Sequence, residues 1–158
     1  MLNVTDRSAD GSRFLLLDLI WTLAIRTGEK RATFADVIAE TESYRLPLLE
    51  RIRAEGFFVV MLTARSLRYR AVTLENIRAR TSGWQPDVAI FNEDDCAPPL
   101  WKRTALHRYV YPAYGAERSR YFALESNHRT RRMYAAEKIT AETWENYLGN
   151  GAQLTMNW

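Results

Sequence analysis

Four apolar runs recur along the chain, each ending in polar residues and each separated from the next by a stretch with helical spacing. Phe14 to Asp18 is the first, Phe57 to Leu62 the second, Asp87 to Phe91 the third and Arg120 to Leu124 the fourth. Phe57-Phe-Val-Val-Met-Leu62 is continuously apolar, as a strand covered on both faces must be. Strand-like runs that alternate with helical patterns predict an α/β fold with a parallel sheet and helices on both faces. The intervening helices are expected over Phe34 to Glu55, broken near Pro47 because proline suits a first turn and not an interior. Leu48, Leu49 and Ile52 give the second piece an apolar face, and Gly56 gives it a stop. Ser66 is placed to cap a further helix carrying the stripe Ala71, Leu74 and Ile77. Leu100 to Tyr109 and Thr130 to Lys138 read as helical.

Composition narrows the class. The 158 residues, 47% hydrophobic and 12% aromatic, suffice for one globular domain with a real core. No repeat, low-complexity tract or linker divides residues 1–158. Segments 1–12 and 149–158 are expected to be loosely ordered, although Leu154 and Trp158 have the character to dock on the core. The net charge of +3, from 22 Lys and Arg against 19 Asp and Glu, permits anionic small molecules or nucleic-acid ends and does not demand a duplex-coating surface. Most of the arginines are expected on solvated helix faces, yet the bias to Arg suits phosphate. A single cysteine, Cys96, excludes an internal disulfide and fits a reducing compartment. With no apolar signal core and no apolar run near the roughly 20 residues that span a bilayer, the expectation is a soluble, cytoplasmic protein without membrane contact.

The chemistry lies at the strand ends. Asp18 closes the first run and is followed by Ile20, Trp21 and Thr22; Thr63 closes the second and opens Thr63-Ala64-Arg65-Ser66; Lys102 follows the Pro98-Pro99 break; Glu125 closes the fourth run. Four such signals in order, over roughly Phe14 to Lys138, resemble the haloacid dehalogenase-like (HAD) superfamily, and Asn92 to Lys102 is faintly similar to the corresponding loop in the phosphatase domain of polynucleotide kinase-phosphatase proteins. The resemblance implies a three-layer Rossmann-like sheet of the HAD type with a minimal cap or none. It implies Asp18 as the nucleophile that forms an aspartyl-phosphate, or as a ligand of magnesium, and Lys102 as the cation that neutralises charge shared by Asp18 and phosphate. It gives Thr63, with Ala64 and Arg65, the phosphate oxygens. It gives magnesium to Asp18, the backbone carbonyl of Ile20 and Glu125, with help from Asn127. As a bare strand-end motif, Thr63 is equally suited to capping a helix, Lys102 to the surface and Glu125 to a solvated loop.

Two departures bear on turnover. Ile20 stands where the superfamily has a second Asp, and isoleucine can neither give nor take a proton; losing a general acid-base removes about 10²–10⁴-fold of rate. A leaving group that needs no proton, such as another phosphate, would tolerate Ile20 better. Trp21 stands at the usual glycine of that motif, where its ring either seals the core or stacks on a base or sugar. The short polar stretch 24–33 and the absence of room for a lid between Thr63 and Lys102 predict an open site whose mouth is lined by Arg26, Lys30 and Arg31, unless that loop is merely solvated. Arg129, with Arg131 and Arg132, begins a helix after a strand end and is a further phosphate contact; His128 is either a proton carrier or idle. The acidic run 93–95 is a solvated loop, a second cation site or a base-edge contact.

Three functions follow from these residues. The first is a degenerate HAD-like protein that binds a phosphorylated, nucleotide-like ligand, sequestering or sensing it, with weak or no hydrolysis. The second is a magnesium-dependent phosphohydrolase of a nucleotide or polynucleotide end. The third is a protein-interaction domain, self-associating or not, in which Trp21, Trp84, Trp101 and tail aromatics form an interface.

Overall fold

Five parallel strands and an antiparallel edge strand make up the central sheet of the protein, seen in a computed structural model that describes residues 2–26 and 34–149. In chain order the strands are β1 (Leu2–Asn3), β2 (Phe14–Leu17), β3 (Ala24–Arg26), β4 (Glu42–Tyr44), β5 (Phe58–Ser66), β6 (Val88–Asn92), β7 (Tyr121–Leu124) and β8 (Thr140–Glu142). The sheet runs β1-β6-β5-β2-β7-β8, and only β1 is antiparallel to its neighbour; β3 and β4 pair apart from it as an antiparallel ribbon. The chain thus starts the parallel sheet at its centre with β2, steps outward through β5 and β6, then crosses to β7 and β8. Strand order reverses at β2, so the crevice beyond the carboxyl ends of β2, β5 and β7 is where an open α/β sheet receives a ligand.

Two apolar layers flank the sheet because alternate residues of each strand face opposite ways. Leu15 and Leu17 of β2 face the layer built from Leu48, Leu49 and Ile52 of α2 (Leu46–Glu55) and Leu74 and Ile77 of α3 (Arg70–Arg80). Phe14 and Leu16 face Trp101 and Ala105 of α4 (Pro98–Ala105), the π-helical turn Leu106–Val110 that continues into α5 (Tyr111–Tyr114), and Tyr134 of α6 (His128–Ala136). The fold is therefore Rossmann-like, with helices on both faces of the parallel sheet. The π turn precedes Pro112, which has no N–H to donate back to the preceding turn of helix.

Several elements differ from the sequence-based expectation. The stretch 34–55 is not one helix broken at Pro47: α1 (Phe34–Thr41) gives way to β4, and α2 begins at Leu46 with Pro47 in its first turn. Gly56 ends α2 in the left-handed conformation (φ 71°), its N–H donating to Arg53 O. β5 runs on to Ser66 through a register shift, so Ser66 precedes a 3₁₀ turn and its side chain caps nothing. Ala71 is exposed, and the buried stripe of α3 is Thr73, Leu74, Asn76 and Ile77. Edge strand β8 has no apolar signature, being held by its ladder to β7. The amino-terminal segment is tied down at three points: β1 pairs with β6, Thr5 Oγ1 donates to Asp87 Oδ1 (2.8 Å), and Arg7 donates to the carbonyls of Phe57 and Gly56. Leu154 and Trp158 lie outside the described residues. No helix among the described residues is long and apolar enough to cross a membrane.

The β3–β4 ribbon owes its position to charge. Glu42 of β4 is fully buried and accepts two hydrogen bonds from the guanidinium of Arg65 on β5, at 2.9 and 2.5 Å. Arg26 lies 3.7 Å from the same carboxylate, and Tyr44 donates to it at 3.1 Å. Burial, then the neighbouring Glu42 carboxylate, pushes the Tyr44 phenol well up. Asn76 of α3 donates to Ile38 O, Glu42 O and Tyr44 Oη, closing the network. Removing one partner of a buried pair strands the other charge, so Glu42→Ala is expected to lose about 3–5 kcal/mol of unfolding free energy in urea, whereas Arg51→Ala, which breaks a half-exposed helix pair, is expected to lose less than about 1 kcal/mol.

Candidate functional site

Asp18 lies just past the end of β2, and its backbone N–H extends the ladder to Leu124 O (3.0 Å). Beyond it the chain makes a tight turn: Ala24 N donates to Leu19 O at 2.7 Å and Trp21 N to Ala24 O at 3.1 Å. This turn brings Thr22 back beneath the carboxylate, where its Oγ1 donates to Asp18 Oδ2 at 2.8 Å. Thr22 is wholly buried and does not line the pocket that opens over Asp18; its hydroxyl fixes the carboxylate from inside the core.

Lys102 reaches the same point from the first turns of α4, where Pro98 and Pro99 start the helix. Its Nζ donates to Asp18 Oδ1 at 2.8 Å and to Glu125 Oε2 at 2.5 Å. All three side chains are almost entirely buried. Glu125 follows β7, its N–H bonded to Glu142 O, and its Oε1 accepts from Asn127 N at 3.1 Å. The arginine Arg131 holds this strand end from below by donating to the carbonyls of Glu125 and Ser126. Asn127 itself caps α6 through its Oδ1, which accepts from Arg129 N and Thr130 N.

Two carboxylates share one ammonium, and the protonation behaviour follows. Burial works against the Lys102 ammonium, but the charges of Asp18 and Glu125 outweigh it and hold its pKa above the usual lysine value. Burial pushes the Glu125 carboxyl up to about 7; attraction to Lys102 opposes this and repulsion from Asp18 adds to it.

A pocket of about 180 Å³ opens over this cluster, lined by Asp18, Ile20, Trp21, Thr63, Ala64, Pro98, Lys102, Glu125, Ser126 and Asn127. Thr63 is buried at its floor; its Oγ1 accepts from Arg65 N (3.1 Å), and its carbonyl accepts from Trp101 Nε1 (3.0 Å). Asn92 holds the neighbouring Ala64 by donating to its carbonyl.

Of the residues expected at the site, Asp18, Ile20, Trp21, Thr63, Ala64, Lys102, Glu125 and Asn127 line one pocket, and Thr22 supports it. The others sit elsewhere. Arg65 turns its guanidinium away into the buried pair with Glu42, and Arg26 points to that same carboxylate and over the Phe34 ring. Arg129 is exposed on the first turn of α6 and does not line the pocket. Lys30 and Arg31 lie outside the described residues. The acidic run is spoken for: Glu93 and Asp94 pair with Arg108, Glu93 also accepts from Tyr109, and Asp95 pairs with Arg68. Trp101 is fully buried and Trp84 half-buried, so Trp101 contributes nothing to an exposed interface.

Ser126 was not singled out by sequence. Its Oγ donates toward both Asp18 Oδ2 (3.1 Å) and the Ile20 carbonyl (3.2 Å). The available signal was its place directly after a strand-end acid. Its contacts also test the fit of magnesium. No group of three or more His, Cys, Asp or Glu side chains stands ready for a metal among the described residues. The pocket instead brings together two carboxylates and a carbonyl, hard oxygens of the kind magnesium takes when water and phosphate complete its shell. Asp18 Oδ2 and Ile20 O converge on one hydroxyl, that of Ser126, and are the oxygens that would face a small cation in its place.

No protein-family model matches the chain. No curated protein matches it either. Among solved structures, a chain of the Pnkp1/Rnl/Hen1 RNA repair complex aligns with a TM-score of 0.64 at 17% identity, over 88% of this chain and 44% of that one. A chain from a further structure of the Pnkp1/Rnl/Hen1 complex aligns with a TM-score of 0.63 at 16% identity, over 88% and 47%. The present chain spans less than half the length of either. At such identities the likeness is one of fold.

The raised Glu125 value gives stability a pH dependence of definite sign. Between about 4.5 and 7 the folded protein holds a proton on Glu125 that the unfolded chain has released, so acidification through that window favours the fold. Wild type is expected to gain unfolding free energy from this site as pH falls from 8 to 5, and Glu125→Gln to lose that part of the dependence; matched urea titrations at the two pH values measure it.

Proposed function

We propose that the chain is a degenerate HAD-type domain that binds a phosphorylated, nucleotide-like ligand and hydrolyses it weakly or not at all. The observation that carries this is the buried Asp18–Lys102–Glu125 cluster beneath a small pocket at the strand-order reversal. The pocket's floor has the ammonium and the Thr63–Ala64 segment to receive phosphate oxygens. A volume of about 180 Å³ suits a phosphate group better than a whole ligand of the kind that fills pockets of roughly 300–1,000 Å³. The fold likeness to a chain of an RNA repair complex favours a nucleotide or polynucleotide end over a sugar phosphate.

Charge explains why a cation belongs to this reading. With Glu125 ionised, above about pH 7, Asp18 and Glu125 against Lys102 leave one net negative charge facing an incoming anion. Magnesium held by Asp18, the Ile20 carbonyl and Glu125 would reverse that sign and neutralise phosphate charge. The protein's own groups then divide the work: Lys102 keeps Asp18 ionised and oriented, Thr22 fixes its second oxygen, and Arg131 holds the loop bearing Glu125 and Ser126. Attack by Asp18 on phosphorus would require a proton for the departing oxygen, and the side chain at position 20 has none to give. Binding therefore outlasts turnover.

The alternative, a magnesium-dependent phosphohydrolase working through an aspartyl-phosphate, keeps the same residues and has water activated by Glu125, by the substrate itself or by His128, which is exposed and does not line the pocket. A panel of nucleotides and end-phosphorylated oligonucleotides, scored for both thermal stabilisation and phosphate release with magnesium, separates the two. Stabilisation without release, and ligand recovered intact after denaturation, is the expected result; Lys102→Met is expected to abolish the stabilisation. Rapid release abolished by Asp18→Asn would establish the phosphohydrolase instead. No response to any ligand, with concentration-dependent self-association, would point to an interaction domain. Restoring the acid in Ile20→Asp is expected to raise phosphate release by about 10²-fold or more, read by the same assay.

A further inference from the structure

Trp21 is the largest side chain at the mouth of the pocket, and three features set it apart from a surface tryptophan placed there by chance. It is 56% exposed, so its ring does not seal the core. It takes a left-handed backbone (φ 63°) within the turn that follows Asp18, a conformation that a bulky L-residue adopts only under constraint. The other non-glycine residues with positive φ among those described are Ser82, Asp95 and Lys138. The turn's hydrogen bonds, Trp21 N to Ala24 O and Ala24 N to Leu19 O, are made by backbone and need no indole. A glycine, or an asparagine, would serve the turn at less cost. A strained residue whose ring contributes no core packing, standing beside a ligand pocket, is better explained by what it touches in the bound state.

The pocket's size says what that is. With about 180 Å³ over Lys102, a phosphate group fits inside and the remainder of a larger ligand must lie across the mouth. Trp21 and Ile20 offer an apolar surface there, and the indole has a flat face of the kind on which bases stack in sequence-tolerant recognition.

We infer that Trp21 is a specificity-determining stacking platform, which selects a nucleoside carrying a terminal phosphate over a sugar phosphate or free phosphate at the same site. The inference rests on the phosphate-binding role proposed for the Asp18–Lys102–Glu125 cluster. The base lies against the indole while its phosphate reaches Lys102 and Thr63. Because every base has a π-face, the platform discriminates nucleoside from bare sugar, with little preference among bases.

The test compares wild type, Trp21→Phe and Trp21→Asn by calorimetric titration in the presence of magnesium with inorganic phosphate, ribose 5-phosphate, adenosine 5′-monophosphate and a 5′-phosphorylated trinucleotide, with melting temperatures of each unliganded variant. Asparagine tolerates the left-handed backbone and removes the ring; phenylalanine restores an aromatic face. Wild type is expected to bind the two nucleoside ligands about tenfold or more tighter than ribose 5-phosphate. Trp21→Asn is expected to erase that preference, leave phosphate and ribose 5-phosphate unchanged, and melt no lower than wild type; Trp21→Phe is expected to recover part of the preference. A trinucleotide bound more tightly than the mononucleotide assigns the platform to polynucleotide ends; equal affinity assigns it to free nucleotides. Should wild type bind ribose 5-phosphate as tightly as the nucleotide, or should Trp21→Asn lower the melting temperature and weaken every ligand alike, the platform is refuted while the phosphate site stands. Binding of none of the four probes would overturn the phosphate site and the platform together.

Discussion

Two carboxylates and one ammonium, buried together where strand order reverses, impose the central constraint on this structure. Charges this far from water are tolerated only when they face opposite charges and when their remaining lone pairs and protons are occupied. Asp18 meets the condition with Lys102, Thr22 and Ser126, and Glu125 meets it with Lys102 and Asn127. The three charged groups come from different elements. The cluster therefore ties β2, α4 and the loop after β7 to one another, and it fixes the crevice over which a ligand would sit.

The cluster is also left short of positive charge, and that imbalance connects stability with binding. Burial, with repulsion from Asp18, raises the Glu125 carboxyl to about 7 against the pull of Lys102, and once both acids are ionised the unliganded pocket is anionic. An anion is accommodated well only if something positive accompanies it, which is why a divalent ion and a phosphate belong to one binding event in this proposal. The isoleucine at position 20 leaves that event intact because the atom it offers is a backbone carbonyl. What it removes, on that proposal, is the side chain that would hand a proton to the leaving group.

A second buried ion pair, Glu42 with Arg65, plays the corresponding part on the other side of β5. It anchors the β3–β4 ribbon to the strand that carries Thr63, so the floor of the pocket and the segment beside its mouth are braced by one contact. Arg65 was a reasonable phosphate ligand by position alone, being two residues past a strand-end Thr. Its side chain turns the other way because β5 continues through residue 65, and alternation along a strand sends residues 63 and 65 into one environment only if the ladder stays regular; the register shift after Leu62 breaks that rule.

What the sequence determined by itself is the layered arrangement and the order in which acids, threonine and lysine reach the strand ends. Apolar runs with two covered faces have few alternatives to a parallel sheet, and Asp18, Thr63, Lys102 and Glu125 each mark the end of such a run or the start of the following helix. Ribbon strand β4, edge strand β8, the role of Ser126 and the Glu42–Arg65 pair were illegible there. Short strands are stabilised by ladder bonds to distant partners, and a polar side chain shows its role only when the atoms it must satisfy are brought beside it. The tertiary structure alone decided those, and it also decided that Trp21 faces solvent: the chain's local pattern specifies which residues avoid water, whereas long-range closure specifies which polar groups and rings meet at a site.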